Sequence, residues 1–299
     1  MKLQKLISKL EKHHKKKLDL SLGRTFNLLK KLGDPQDKLK NVITVVGTNA
    51  KASMCYSLKS ILNQGGYKTN LYTSPHLLSY TERYVFEDKE INEEDLIELL
   101  TDVEKTLGDD NATLFEILTC AFLKYAENFK DNINIIEAGL FHQFDSTNVF
   151  KENLMTLIGV IHNDHFQWLE NKSIEGVIYE KTAKLLNSNI FINKQVNNEI
   201  RDKIESSLEK NTSNKYFFGK DFNIAKSENG FIQYQDGLGE LVLPEPSILG
   251  DHQLYNISTS IAASRKIFNI KDEYIKNGIK NISLKARLEE IKSGKLKDI

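Results

Sequence analysis

The sequence of 299 residues has little cysteine, proline or tryptophan, with two, four and one of these residues. Cys55 and Cys120 both lie in apolar, helix-like stretches, and two dispersed cysteines are too few for a disulfide framework or a zinc site. No apolar run approaches the ~18 residues of a membrane span, and the N-terminus lacks the apolar core of a signal peptide. These absences predict a soluble protein of a reducing compartment, the cytoplasm.

The sequence also has no excess charge of either sign, because 41 Lys and Arg balance 41 Asp and Glu. This balance does not favour nucleic acid or a membrane surface as a partner, so an acidic small molecule would need a local basic site. There is no internal repeat and no low-complexity linker. A chain of this length buries a sizeable core as one large or two ordinary domains.

Residues 41–62 are the most informative stretch. A β-branched run, 42–46, breaks at Gly47 and is followed by apolar residues at helical spacing, which predicts strand, tight loop and helix. The backbone N–H groups of such a loop and the positive end of the helix dipole point at one spot, which suits a phosphate. Lys51 adds a positive charge there, and the Ser53 hydroxyl suits a magnesium ion that bridges phosphates.

This loop departs from the Walker pattern beside its lysine. That pattern has glycine before the lysine because the backbone there often takes a positive φ, whereas this chain has Ala50, and Ala52 follows the lysine. Two interpretations of the stretch stay open: a nucleotide site, and a plain strand-to-helix turn with an exposed lysine.

Polar side chains follow three other predicted strands. Ser74 and His76 come after the strand at 68–72, Glu137 closes the strand at 133–136, and His162 and His165 end the strand at 154–161. Ligands of open α/β sheets bind at these carboxyl ends. A buried carboxylate there needs a cation, so a metal site is one interpretation; a Ser-Pro turn and a helix-capping aspartate at Asp164 are the alternatives.

The remaining pattern predicts an amphipathic helix at 1–18, a turn at 20–25, a helix at 26–32, a β-hairpin within 231–243 and a last helical region from Gly250. Strands and helices alternate up to about residue 195. This alternation predicts an α/β fold with a mostly parallel sheet and helices on both faces.

With these residues in place, the chain resembles the folylpolyglutamate synthase/dihydrofolate synthase family of the Mur ligase superfamily. GTNAKAS (47–53) resembles the family's GTNGKGS, and the stretch at 137–148 resembles EVGLGGRLDATN. Further matches, in the same order along the chain, are YTSPHL (72–77), TER (81–83), TLFE (113–116), the Asp-His at 164–165, the Glu-Lys at 180–181, the segment 250–256 and ARL (286–288).

The resemblance implies a role for each matching residue. The nucleotide positions are Gly47, Thr48, Asn49, Ala50, Lys51, Ala52, Ser53, Asn256 and Arg287. Magnesium positions are Ser53, Ser74, Glu137 and His165, and the pterin-side pocket is Leu22, Gly23, Arg24, Thr25, Thr113, Leu114 and Asp145. Lys51, Lys181 and His165 are the catalytic positions, and Lys181 matches a lysine that is carbamylated in such ligases.

The resemblance implies two parts: an N-terminal helical segment, 1–40, and a Mur-ligase-like ATP-binding domain with a phosphate loop, 41–299, on which the segment packs. The family's C-terminal Rossmann-like ligase domain is expected to be absent. The implied reaction uses ATP and Mg²⁺ to activate dihydropteroate or folate as an acyl phosphate, which the amine of L-glutamate attacks. A monomer is expected, without nucleic acid or membrane partners.

Other departures from the family are Ala286 and the segment Phe141-His142-Gln143-Phe144, which replaces GGRL and removes an arginine. The resemblance therefore leaves two interpretations open: a ligase of which this chain is an incomplete part, and a non-catalytic ATP- or folate-binding remnant. A cell-wall Mur ligase shares the loop, but the SPHL and TLFE stretches argue against it.

Overall fold

The computed structural model describes residues 2–14, 20–227 and 229–285. Within these ranges, eleven strands form one sheet of eight strands and one of three. The strands of the large sheet are β1 (Val42–Val46), β2 (Thr69–Tyr72), β3 (Tyr84–Phe86), β4 (Lys89–Glu90), β5 (Ile133–Glu137), β6 (Met155–Ile158), β7 (Asn189–Ile192) and β8 (Asn214–Phe217). The small sheet contains β9 (Phe222–Lys226), β10 (Ile232–Asp236) and β11 (Gly239–Leu243).

The helices of the described ranges surround the large sheet. They are α1 (Lys2–Leu10), α2 (Gly23–Lys31), α3 (Lys51–Gln64), α4 (Glu93–Leu107), α5 (Leu114–Ala126), α6 (Ile174–Thr182), α7 (Asn198–Ser207), α8 (Asp251–Phe268) and α9 (Asp272–Lys280). Short 3₁₀ turns lie at Glu11–His13, Pro35–Asp37, Tyr80–Arg83, Glu127–Phe129 and Phe166–Trp168.

The large sheet has the order β4-β3-β2-β5-β1-β6-β7-β8. Strands from β2 to β8 in this order are parallel, and the edge strands β3 and β4 pair antiparallel. Strand β1 lies between β5 and β6, and its residues are all buried. The loop after β1 therefore opens in the middle of the edge where the parallel strands end, which is where ligands bind in such sheets.

Apolar side chains cover both faces of this sheet. On one face α3, α8, α9 and the inner side of the small sheet enclose one core cluster, which includes Leu58, Ile135 and Ile261. On the other face α1, α2, α4 and α5 enclose a second cluster, which includes Ile7 and Phe122. The prediction of a mostly parallel sheet with helices on both faces is confirmed.

Several element boundaries differ from the sequence-based expectation. Helix α2 begins at Gly23, so the turn predicted at 20–25 is wrong for its second half. The strand predicted at 154–161 ends at Ile158, and Val160 beyond it forms an isolated antiparallel bridge with Asn49 of the loop after β1. The helix predicted at 1–18 ends at Leu10, followed by a 3₁₀ turn to His13, and residues 15–19 lie outside the described residues. The hairpin predicted within 231–243 is confirmed as β10 and β11.

Within the described residues, no helix combines the length and the apolar character needed to span a bilayer.

Candidate functional site

The loop between β1 and α3 forms the floor of the site. The carbonyl of Val160 accepts the N–H groups of Thr48 and Asn49 at 2.9 and 3.0 Å, so an extension of β6 holds the loop from below. The Lys51 ammonium donates to the carbonyls of Gly47 and Thr48 at 3.1 and 3.3 Å. Helix α3 begins at Lys51, and its first N–H groups and positive dipole end face the space above the loop.

Ala50 adopts the left-handed conformation for which the Walker pattern provides glycine. Its φ is 73° and its ψ is −12°, and it caps the N-terminus of α3. The loop therefore keeps the backbone shape of a phosphate loop even though a β-carbon is present. A non-glycine residue in this region costs about 1–2 kcal/mol.

Replacing Ala50 with glycine is expected to stabilise the chain by about 1 kcal/mol, because the strain of the β-carbon is removed. The matched control is Ala52→Gly, which lies in the first turn of α3 and is expected to cost up to about 1 kcal/mol. Urea unfolding of both variants measures the difference. Equal effects of the two replacements would contradict a special role for the φ of Ala50.

A cleft of about 1070 Å³ lies above the loop and is the candidate ligand site. Its walls come from the loop, α3, the ends of β2 and β5, the start of α8 and the segment after α9. Among the residues that sequence analysis selected, those that line this cleft are Thr48, Asn49, Ala50, Lys51, Ala52, Ser53, Ser74, Glu137, His162 and Asn256.

Ser53, Ser74 and Glu137 form a set of oxygen donors in the lining of this cleft. Glu137 is only 3% exposed, and one carboxylate oxygen accepts the Ser74 N–H at 2.9 Å. The Ser74–Pro75 peptide bond next to it is cis. One carboxylate and two hydroxyls beside a phosphate loop are the donors that magnesium takes when phosphates and water complete its shell. Among the described residues, no cluster of three or more His, Cys, Asp and Glu side chains has metal-binding geometry.

The two histidines after β6 differ in their position relative to the cleft. His162 lines the cleft, and its backbone N–H donates to the Thr48 hydroxyl at 3.2 Å. His165 is not part of the described lining of the cleft; it has a φ of 54°, and its Nε2 lies 3.1 Å from an oxygen of Asp164. The magnesium and catalytic roles of His165 stay predictions.

Lys181 projects from α6 toward the loop and is 2% exposed. Its ammonium donates to the carbonyls of Gly47 and Leu140 at 3.0 and 2.9 Å and lies 5.5 Å from the centre of the Phe141 ring. Burial, together with the nearby positive charge of Lys51, lowers the pKa of Lys181 to about 7. A near-neutral pKa makes the unprotonated amine accessible under ordinary conditions.

The three segments predicted for the pterin side converge around α5. Thr113 caps α5 in a capping box with Glu116, and Arg24 of α2 contacts the same Glu116 carboxylate at 2.9 Å. Asp145 accepts the N–H groups of Leu140 and Thr147, and its buried carboxyl has a raised pKa because of desolvation. A β-carbon at Gly139 would lie within 2.8 Å of both Asp145 and the Phe115 ring, which places Asp145 beside the start of α5.

Sequence reasoning missed several cleft residues. Lys194 and Tyr255 line the cleft on the α8 side, and Tyr56 and Lys59 line it along α3. Side chains between strands and on helix faces carry no motif, so only their placement reveals them. Arg287, predicted as a nucleotide contact, lies outside the described residues.

The segment that replaces the family's GGRL leaves buried polar atoms without a hydrogen-bond partner. These include Nδ1 of His142 and Oε1 of Gln143. Burial and the charge of Lys181 lower the pKa of His142 to about 3, so this imidazole is neutral at physiological pH. The backbone N–H groups of both residues donate to the Glu180 carbonyl, which joins this segment to α6.

A parallel sheet with a phosphate loop after its central strand and an oxygen-rich cleft above it defines a phosphate-loop α/β protein of the Mur-ligase-like type. No protein-family model matches the chain. The chain is similar to curated dihydrofolate synthase/folylpolyglutamate synthases and to solved structures of such enzymes, which confirms the resemblance of the motifs.

The dihydrofolate synthase/folylpolyglutamate synthase of Bacillus subtilis is 29% identical over 287 residues, which are 90% of this chain and 65% of the relative. The structure of E. coli FolC in complex with DHPP and ADP superposes with a TM-score of 0.84 at 27% identity, covering 97% of this chain and 68% of that one. The bifunctional enzyme of Yersinia pestis, complexed with AMPPNP and a Mn ion, gives a TM-score of 0.83 at 26% identity, covering 97% and 68%. The chain thus spans about two thirds of the length of these relatives.

Proposed function

We propose that residues 41–299 are the ATP-binding domain of an ATP-dependent ligase that adds L-glutamate to dihydropteroate, to folate or to both, and that residues 1–40 pack on it as an N-terminal helical segment. The main observation that supports this proposal is that the phosphate loop with Lys51 and the buried carboxylate of Glu137 line the same cleft. The relatives are dihydrofolate synthase/folylpolyglutamate synthases by name, and the structure of one of them contains DHPP and ADP. This similarity favours the ligase over a non-catalytic remnant.

In this proposal the loop and Lys51 bind the ATP phosphates. Ser53, Ser74 and Glu137 hold the magnesium ion, which supplies charge neutralisation of the phosphates when bound. The structure of a relative with AMPPNP and a Mn ion supports a divalent metal beside the nucleotide. Asn256, whose amide donates to Gln253 at 2.9 Å, and Arg287 are the proposed contacts to the rest of the nucleotide.

The proposed chemistry has two transfers. The carboxylate of the pteroate or folate attacks the γ-phosphorus of ATP, so that an acyl phosphate forms and ADP leaves. The amine of L-glutamate then attacks the acyl carbon, the amide bond forms, and inorganic phosphate leaves. The protein contributes positioning and the fixed positive charge of Lys51, and no covalent enzyme intermediate is needed. Folate metabolism is therefore the proposed context.

The pterin end is proposed to lie beside α5, at Leu22, Gly23, Arg24, Thr25, Thr113, Leu114 and Asp145. The capping box of Thr113 and the Arg24–Glu116 pair fix the start of α5 and the start of α2 against each other. We propose that these small molecules are its partners, without nucleic acid or membrane. We propose that it acts as a monomer in the cytoplasm.

Lys181 is proposed to carry a carbamate, which would make it an anion beside the loop. Formation of a carbamate requires the neutral amine, and the lowered pKa of about 7 supplies it at pH 8. A ¹³C signal from labelled bicarbonate is therefore expected at pH 8 and is expected to disappear below pH 6, where the amine is protonated. Lys181→Arg is the control that keeps the charge and cannot react. A signal of equal size in this variant would contradict the assignment.

The experiment that tests the function is calorimetry of the chain with Mg-ATP, followed by a phosphate-release assay. Binding of Mg-ATP is expected, and phosphate release is expected to require both dihydropteroate (or folate) and L-glutamate. UDP-linked cell-wall precursors are the comparison substrates and are expected to give none. Absence of Mg-ATP binding would overturn the proposal.

A further inference from the structure

The α8 end of the cleft contains a second lysine that no family motif includes. Lys194 follows β7, and its ammonium lies 3.8 Å from the centre of the Tyr255 ring and 5.9 Å from that of Phe218. These two rings meet edge to face, 5.4 Å apart. Lys194 and Tyr255 both line the cleft above the phosphate loop.

A chain of amides fixes the base of this lysine. The Lys194 N–H donates to the side-chain oxygen of Asn193 at 2.8 Å, and the Asn193 amide donates to Asn256 at 2.8 Å. Asn256 in turn donates to Gln253 at 2.9 Å. The segment after β7 is thereby bound to the first two turns of α8, which fixes the backbone from which the Lys194 side chain extends.

The residue next to it connects this segment to the phosphate loop. Gln195 donates to the Gly159 carbonyl at 3.1 Å and accepts the Ile161 N–H at 3.0 Å. Between these two residues, Val160 accepts the N–H groups of Thr48 and Asn49. The segment that contains Lys194 and the first half of the loop are therefore both bonded to residues 159–161, and Lys194 lines the same cleft as Thr48 and Asn49.

The charge of Lys194 is not compensated within the described residues. Its neighbours are ring faces, and no described carboxylate lies within ion-pair distance of its ammonium. Lys59, on the same cleft, instead pairs with Asp88. An aromatic ring orients an ammonium without neutralising it, so its positive charge stays available to an anion.

We propose that Lys194 is a second oxyanion-binding residue of the cleft, which binds a phosphate group at the α8 end of the cleft. This proposal rests on the proposed function, because the phosphate is that of the nucleotide. A carboxylate of the acid substrate has the same oxyanion chemistry and is the other source. The family resemblance assigns no role to this position.

The test compares Lys194→Met with Lys194→Arg and Lys266→Met. Lys266 is the matched control, because its ammonium also lies over a tyrosine ring, 5.5 Å from the centre of Tyr216, but does not line the cleft. The probes are tripolyphosphate and Mg-ATP for the phosphate source, and L-glutamate and dihydropteroate for the carboxylate source. Dissociation constants are measured by calorimetry.

Lys194→Met is expected to weaken tripolyphosphate binding about twofold to fivefold, the upper part of the range for one exposed charge contact. Lys194→Arg and Lys266→Met are expected to bind like the parent. A loss confined to L-glutamate or dihydropteroate would support the same oxyanion role with a carboxylate as the source. Unchanged binding of all four probes, or an equal loss in Lys266→Met, would overturn the proposal.

The outcome is separable from that of the proposed function. If the parent chain does not bind Mg-ATP, the proposed function fails by itself. If the parent binds Mg-ATP and Lys194→Met binds all four probes with the same affinity, only the role of Lys194 fails.

Discussion

Replacing Lys51 with alanine is expected to weaken the binding of Mg-ATP by roughly tenfold to a hundredfold, the loss of a charge-assisted hydrogen bond to phosphate. The Lys51 ammonium rests on the carbonyls of Gly47 and Thr48, so it lies directly at the loop before any ligand binds. Its removal leaves the backbone N–H groups and the helix dipole as the remaining attraction. Calorimetry with Mg-ATP measures the change.

Lys59→Ala is the matched control for this prediction. Lys59 lies two turns further along α3 and lines the same cleft, but its ammonium forms an ion pair with Asp88. We expect its replacement to change Mg-ATP affinity by less than about threefold, the value of an exposed ion pair. Similar losses in both variants would mean that the cleft attracts the nucleotide through its overall charge, and the loop would lose its special role.

Replacing Gly159 with alanine is expected to deform the phosphate loop. A β-carbon at this position would lie 2.4 Å from the Asn49 carbonyl oxygen and 3.1 Å from the end of the Met54 side chain. The carbonyl belongs to the backbone of the loop, so the loop itself must move. We expect a loss of about 1–3 kcal/mol of unfolding free energy, as in other overpacked sites, and at least a tenfold loss of Mg-ATP affinity.

Gly237→Ala separates this clash from a general effect of alanine. Gly237 lies in the turn between β10 and β11, and a β-carbon there meets nothing within 4 Å. Urea unfolding and calorimetry of the two variants give the comparison. If Gly159→Ala bound Mg-ATP as tightly as Gly237→Ala does, the close approach of Gly159 to the loop would not be needed for nucleotide binding.

The central part of the fold, from β1 to α3, was predictable because the residue pattern of this short stretch agrees with its buried position in the sheet. The β-branched run of β1 is buried on every side, and the loop that follows contains Lys51 and Ser53, so one short stretch determines strand, loop and helix. Glu137 was predictable as well, because a charged carboxylate at the end of a buried strand is costly unless it binds a cation or a metal ion. Strands β3 and β4 were missed, since strands of three and two residues show no period that can be read.

The α8 side of the cleft was not predictable, for a different reason. Lys194 and Tyr255 are 61 positions apart, and the ammonium meets the ring only because β7 and α8 lie side by side. Which of His162 and His165 lines the cleft depends on the place where β6 ends. The strand ends at Ile158, and the backbone then bends toward the loop, which brings His162 to the cleft.

The hydrogen bonds from Thr48 and Asn49 to the Val160 carbonyl affect how the phosphate loop binds its ligand. With two of its N–H groups already fixed to the neighbouring strand extension, the first half of the loop needs no ordering when a phosphate arrives. The conformational entropy of that half is lost when the chain folds and does not oppose binding. The association rate should therefore be limited by encounter and charge, with little dependence on a slow rearrangement of the loop.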